Sequence, residues 1–153
     1  MSLVLEALLL QIPSTILGLY VVFLIQRREM PLAPAIKYGA ALGTFVTVFR
    51  LLPISFGLHV PFVTVAMLLL ARYVAASRWS LSLFGTLAVQ LLGFAGEGLI
   101  AMPLLASAGI QPSDFAASPF ILAVGGWVSN IPLLLLLGGL LLSRRKAHEV
   151  ARR

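Results

Sequence analysis

The chain has 153 residues, of which 60% are hydrophobic and 10% are charged, with a formal net charge of +6. A soluble domain is about 45–50% apolar and about 25% charged, so this composition is typical of a membrane protein. The absence of cysteine excludes disulfides and thiolate metal sites. No basic face with interleaved aromatic residues is present, so we expect no nucleic-acid partner.

Five apolar runs follow one another along the chain, and a transmembrane helix needs roughly 20 such residues. We expect helices at Ser2–Gln26, Ala35–Leu52, Val60–Ala76, Ser80–Ala106 and Pro119–Ser143. Ser118 and Pro119 are typical of an N-cap and a first helical residue. No linker is long enough to divide the chain, so the sequence predicts one all-α bundle over residues 1–153, with a basic tail at 144–153.

The connections between these runs alternate in charge. Residues 27–37 and 72–78 carry lysine or arginine, residues 53–59 and 107–119 carry none, and the tail carries five basic residues. Because basic loops stay in the cytoplasm, this pattern predicts an N-terminus outside and a C-terminus inside. We therefore expect a multi-pass protein of the cell membrane, with the lipid bilayer as its first partner.

Four polar side chains from four predicted helices fall at a similar depth. At about 1.5 Å per residue from the cytoplasmic ends, Gln11, Arg50, Glu97 and Asn130 lie in the outer half of the bilayer. Stripes of small and polar residues carry them, and such stripes face helix neighbours rather than lipid. The inner half contains almost nothing comparable. Further candidate ligand-binding residues near these stripes are Thr47, Gln90, Ser129 and, close to the outer surface, His59.

Arg50 and Glu97 are the most informative of these residues. An ionised side chain inside a span costs at least about 2.5–3.5 kcal/mol on insertion scales unless it meets water or a partner. We expect the two to pair and to line an outward-facing pocket. The alternatives are that Arg50 extends to the outer interface beside Pro53 and that Glu97 is protonated. Gln11 and Asn130 are equally compatible with plain interhelical hydrogen bonds.

No catalytic residue, metal ligand or cofactor is assigned from the sequence. The chain contains no P-loop, HExxH or GxSxG pattern. His59 has no second histidine or ligand cluster beside it, so a metal site is not expected.

The run LLLQIPSTILGLYVVFLIQRR and the short layout with basic cytoplasmic segments resemble two kinds of protein. These are the short five-helix membrane proteins of Gram-positive bacteria and the membrane input domains of peptide-sensing histidine kinases. The resemblance covers the spans loosely, contains no specific motif and transfers no site residue. It implies a sensor, and because no kinase domain follows RRKAHEVARR, we expect a separate signalling partner in the cytoplasm or membrane.

Three function classes remain open. The first expectation is a binding or sensing module that takes an external small molecule, peptide or lipid into the outer pocket. The alternative is a small transporter or channel, for which a homo-oligomer would supply the room that alternating access needs. The third is an intramembrane lipid-modifying enzyme with Glu97 and His59 as acid and base.

The topology is testable because the chain has no native cysteine. We expect Ser113→Cys to react with a membrane-impermeant thiol reagent on intact cells, because residues 107–119 lack basic residues. Ala147→Cys, in the basic tail, should react only after permeabilisation. Labelling of both variants from outside would contradict the five-span topology.

Overall fold

A chain in lipid satisfies its backbone N–H and C=O groups most simply inside helices. The computed structural model describes residues 7–27, 32–49, 59–74, 76–111 and 118–151, giving only the backbone of residues 32, 59, 119 and 146–151. Within these ranges every regular element is helical and no strand is present. The all-α prediction is confirmed for this part of the chain.

Seven α-helices and two π-helical segments make up the described chain. The first π-helical segment, Ala7–Gln11, leads into α1, Ile12–Ile25, and the second, Gly96–Ala101, joins α4 to α5. The remaining helices are α2 Leu32–Phe49, α3 His59–Tyr73, α4 Trp79–Ala95, α5 Met102–Ser107, α6 Pro119–Ser129 and α7 Ile131–Ala151. The predicted cap is confirmed, because the Ser118 hydroxyl accepts a hydrogen bond from Ile121 N at 3.4 Å.

Two continuous helices of the described chain are long and apolar enough to cross a membrane, Ala7–Ile25 with 19 residues and Trp79–Ser107 with 29. A third span results if Phe120–Ser129 and Ile131–Arg145, which meet at a bend of 44°, act together. The other two apolar helices, Ala33–Phe49 and Val60–Tyr73, are shorter. The described helices thus provide two or three spans where the sequence predicted five.

The predicted fifth helix, Pro119–Ser143, is divided at Asn130 into α6 and α7, and residues predicted as a basic tail continue α7. Pro132 has no N–H to donate to the carbonyl four residues earlier, and its ring crowds that carbonyl, which accounts for a break at Asn130. Beyond the break, α7 continues through the basic residues to Ala151. The basic segment is therefore the end of a helix as far as it is described.

The helix α1 lies at the centre of the bundle and packs against α2, α3, α4 and α7. Its residues Leu19, Val21 and Val22 are completely buried, and the apolar core around them includes Met67 and Val89. Full burial from water stabilises an apolar side chain by about 1.5–3 kcal/mol, and transfer from lipid stabilises it less. Close packing therefore contributes more to the stability of this core than hydrophobicity does.

Two prolines coincide with the two π-helical segments. Each segment ends two residues before a proline, Gln11 before Pro13 and Ala101 before Pro103. A proline removes the N–H that would bond four residues back, and the preceding turn widens. Pro13 leaves the Leu9 carbonyl without its helical donor. This carbonyl instead accepts a hydrogen bond from Trp127 Nε1 at 2.9 Å.

The described arginines collect at one end of the bundle, which we call the arginine-rich end. Arg27 follows α1, Arg78 precedes α4, and the Arg72 guanidinium lies 5.6 Å from the Trp79 ring. Arg144 on α7 donates from Nη2 to the Leu24 carbonyl oxygen at 3.2 Å. This bond caps the C-terminus of α1, where a cation also meets the negative end of the helix dipole.

Glycine permits the close contact between α1 and α2. A Cβ added at Gly43 would lie 2.7 Å from the Cα of Ile12, which is backbone and cannot rotate away. We expect Gly43→Ala to lower the free energy of unfolding by about 1–3 kcal/mol through overpacking. Thermal unfolding in detergent micelles measures the effect.

Gly138→Ala is the matched control, because nothing lies within 4 Å of a Cβ added there. Alanine is the better helix former by about 1 kcal/mol, so this variant should be neutral or more stable. Equal unfolding temperatures for the two variants would contradict the close approach of α1 and α2.

Candidate functional site

The antiparallel register of α1 and α4 fixes which residues share a level. A Cβ added at Gly18 would meet Val89 at 3.3 Å, and one added at Gly85 would meet Val22 at 3.3 Å. A step of four residues forward along α1 therefore reaches the same level as a step of four residues back along α4. Continued by two turns away from the arginine-rich end, this register places Gln11 at the level of Glu97.

Asn130 and Ser14 join the break between α6 and α7 to the distal part of α1, where distal means away from the arginine-rich end. Asn130 is only 7% exposed, and its Nδ2 donates to Ser14 Oγ at 2.7 Å and to the Gly126 carbonyl at 2.9 Å. Ser129 donates to the same carbonyl, at 2.7 Å. A Cβ at Gly96 would collide with the Ser129 carbonyl oxygen, so the second π-helical segment also rests against this junction.

The other described candidates occupy different positions. Thr47 is buried and donates to the Gly43 carbonyl of its own helix at 2.9 Å. Gln90 is half-buried, and its Nε2 lies 3.9 Å from Met67 Sδ, which joins α4 to α3. Gln11 is half-buried, and its carbonyl accepts from Thr15 at 2.6 Å. Only the contact between Gln90 and Met67 joins two helices, and all three contacts are compatible with a purely structural role.

On the distal side of the contact between Gln90 and Met67, the described parts of α3 and of the chain that continues α4 pack against different helices. The distal end of α3 rests on α2 through Phe62 and Phe49, whose ring centroids are 5.1 Å apart. The π-helical continuation of α4 rests on α6 through Gly96. The described chain thus separates α3 from the second π-helical segment.

We call this separation the distal groove, and its described residues are Gln11, Thr15, Gln90, Gly93 and Glu97. Gly93 is half-buried, yet nothing lies within 4 Å of a Cβ added to it, and the same is true of the exposed Gly98. Along α1 and the first π-helical segment, Thr15 and Gln11 lie one and two turns from Gly18, on the face that meets α3 and α4. Polar groups from two neighbouring helices therefore lie at similar levels of the bundle.

Glu97 is exposed on the surface of the described bundle and makes no ion pair with any other described residue. It lies within Trp79–Ser107, the longest continuous apolar helix among the described residues. Its backbone carbonyl accepts from Met102 N, a bond of π-helical spacing. The predicted partner Arg50 and the side chain of His59 lie outside the described residues, so the pairing of Arg50 with Glu97 stays a prediction.

Sequence reasoning missed a second group of buried polar side chains. Ser82 and Thr86 on α4 are completely buried, Gln26 at the end of α1 is 5% exposed, and Ser77 is 9% exposed. All four lie towards the arginine-rich end, away from Gln11, Glu97 and Asn130. The available signal was the spacing of Ser82, Thr86 and Gln90, which continues the stripe of Glu97 along α4.

Comparison with known proteins finds no matching family model, no similar curated protein and no similar solved structure. Function must therefore be argued from the arrangement of the residues themselves.

The hydrogen bond between Asn130 and Ser14 is testable by a double-mutant cycle. We expect Asn130→Ala and Ser14→Ala to show a coupling free energy of about 0.5–1.5 kcal/mol, the usual range for such bonds between membrane helices. Unfolding of the four proteins in one detergent gives the value.

Ser129→Ala replaces Asn130→Ala in the control cycle, since the Ser129 hydroxyl bonds within its own helix. This pair should be additive. An additive result for Asn130 as well would show that the bond contributes nothing to stability.

Proposed function

We propose that this chain is a membrane-embedded binding or sensing module that takes an external ligand into the distal groove. The observation that carries the proposal is the exposed Glu97, with open space at Gly93 and Gly98 and with Gln11 at its level on the neighbouring helix. A carboxyl group at such a depth is costly unless it meets water, a proton or a partner. A ligand with a hydrogen-bond donor or a positive charge supplies that partner.

The ligand class follows from the groove's two surfaces. Glu97, Gln11 and Gln90 offer polar groups, whereas the exposed Phe62 at the distal end of α3 offers apolar surface. An amphiphilic small molecule, peptide or lipid suits that combination better than an inorganic ion. In this proposal Arg50 completes the site as the predicted partner of Glu97.

The same proposal includes the finer topology. The chain passes through the cell membrane five times, with the distal groove on the outer side and the arginine-rich end in the cytoplasm. Support comes from the collection of Arg27, Arg72, Arg78 and Arg144 at one end, which agrees with the positive-inside rule. The signal passes to a separate partner protein at that end.

A small oligomeric transporter is the second candidate, and the broken helices favour it. Transporters place substrate sites at interrupted helices, where unwound backbone groups face the ligand. Here the 44° bend at Asn130 and the π-helical segment that carries Glu97 lie beside one another. Flux separates the two functions, because a sensor binds its ligand without moving it.

Binding is tested by thermal unfolding of the reconstituted protein with three probes: an alkylamine, an alkyl sulfonate and an apolar tripeptide. A ligand at 100 times its Kd stabilises the folded state by about 2.7 kcal/mol, which is readily measured. We expect at least one probe to raise the unfolding temperature of the wild type. Glu97→Gln should abolish that shift, since it removes the charge and keeps the shape.

Leu99→Ala is the control, because Leu99 is 76% exposed on the same π-helical segment. It should leave the shift intact. Probes that stabilise Glu97→Gln and Gln11→Leu as strongly as the wild type would rule out the groove as the site. Probe uptake into proteoliposomes would assign the chain to transport.

A further inference from the structure

The turn between α3 and α4 places two arginines where a long apolar helix begins. Arg72 lies in the last turn of α3, and Arg78 directly precedes the helix Trp79–Ser107. At about 1.5 Å per residue these 29 residues extend about 43 Å, which matches a bilayer with both of its headgroup layers. The start of this helix, and the turn before it, therefore lie at the level of lipid headgroups.

Two aromatic rings hold the guanidinium of Arg72 in place. Its Cζ lies 5.8 Å from the centroid of the Tyr73 ring and 5.6 Å from that of the Trp79 ring. The two rings themselves meet edge to face, with centroids 6.3 Å apart. Attraction between the cation and the rings fixes the guanidinium, and the rings are 69% and 51% exposed. Exposed tyrosine and tryptophan rings are typical of the headgroup level of a bilayer.

The positive charge of this turn is not matched by acceptors in the described part of the chain. A guanidinium has five N–H donors and no acceptor, yet Arg72 makes no hydrogen bond or ion pair with another described residue. Arg78 is exposed, and its side chain makes no capping bond to α4. Among the described side chains the only carboxylate is that of Glu97, in the distal half. The charge complement of this turn is therefore an anion from outside the described chain.

We propose that Arg72, Tyr73, Arg78 and Trp79, which we call the turn patch, bind the headgroup of an anionic phospholipid. The planar fork of an arginine matches two oxygens of a phosphate, and a guanidinium already oriented by two rings loses little freedom when it binds. Arg78 adds a second positive charge at the same level of the bilayer. The rings of Tyr73 and Trp79 contact the glycerol region of the lipid, where one side of each ring is polar and the other apolar.

The apolar surface beside the turn patch favours a lipid over a free phosphate ion. Val74 follows the patch on one side, and Leu81 and Phe84 follow it along α4. All three are exposed, Phe84 by 66%, so the acyl chains of a lipid can lie along them below the headgroup. A free phosphate ion would make no use of this surface. The inference depends neither on the proposed function nor on which end of the bundle faces the cytoplasm.

Tryptophan quenching by brominated lipids tests the turn patch in proteoliposomes. Trp127→Phe leaves Trp79 as the one tryptophan of the chain, and every variant is compared in that background. Quenching of Trp79 by brominated phosphatidylglycerol and by brominated phosphatidylcholine gives the relative binding constant of the two lipids. We expect a preference for phosphatidylglycerol, which Arg72→Gln lowers about fivefold, the usual effect of one cation near an anionic surface. Arg78→Gln, at an exposed position, should change the preference in the same direction.

Two further variants separate a shaped site from general attraction to positive charge. Arg72→Lys keeps the charge without the planar fork, so it should lose most of the preference. Arg145→Gln removes one charge from an exposed position of α7 and should leave the preference nearly unchanged. Full preference in Arg72→Lys, or equal losses in Arg145→Gln and Arg72→Gln, would overturn the proposal. Displacement of the lipid by excess inorganic phosphate would assign the patch to a free anion and would overturn it as well.

Discussion

Backbone hydrogen-bond donors that are missing at proline determine the helix geometry in the distal half of this molecule. Pro13, Pro103 and Pro132 each remove an N–H from a helix, which leaves a carbonyl that lipid cannot satisfy. An unsatisfied group in hydrocarbon costs several kcal/mol. The chain responds with two wide π-helical turns, one bend and a bond from Trp127 to the Leu9 carbonyl. The position of Glu97 inside one wide turn follows from the same response.

Much of this arrangement follows from the sequence. Apolar runs predicted where the helices lie, and the cap at Ser118 predicted the start of α6. Stripes of small and polar residues predicted that these helix faces meet helix neighbours, and the structure shows one such contact at Gly39 and Gly43, where α2 meets α1. Each of these features depends on residues that are near one another on a single helix face, so a periodic pattern reveals them.

The remaining features depend on distance between segments, which no local pattern contains. The sequence placed Arg144 only in a basic tail, whereas in the structure it caps α1 across the bundle. Ser82 and Thr86 are ordinary residues for a membrane helix, and only the antiparallel register shows that Gln26 lies beside them. The bend at Asn130 likewise needed the packing of α6 on the second π-helical segment, because proline alone predicts a kink without its angle.

The bend at Asn130 also has a mechanical consequence. From this joint α7 extends over 21 residues, a rigid arm of about 30 Å. A rotation of only about 5° at the joint swings the far tip of such an arm by roughly 3 Å. Arg144 ties the far end of α7 to the end of α1. A small displacement of the joint beside Ser14 and Asn130 would therefore move α7 and α1 together at the opposite end of the bundle.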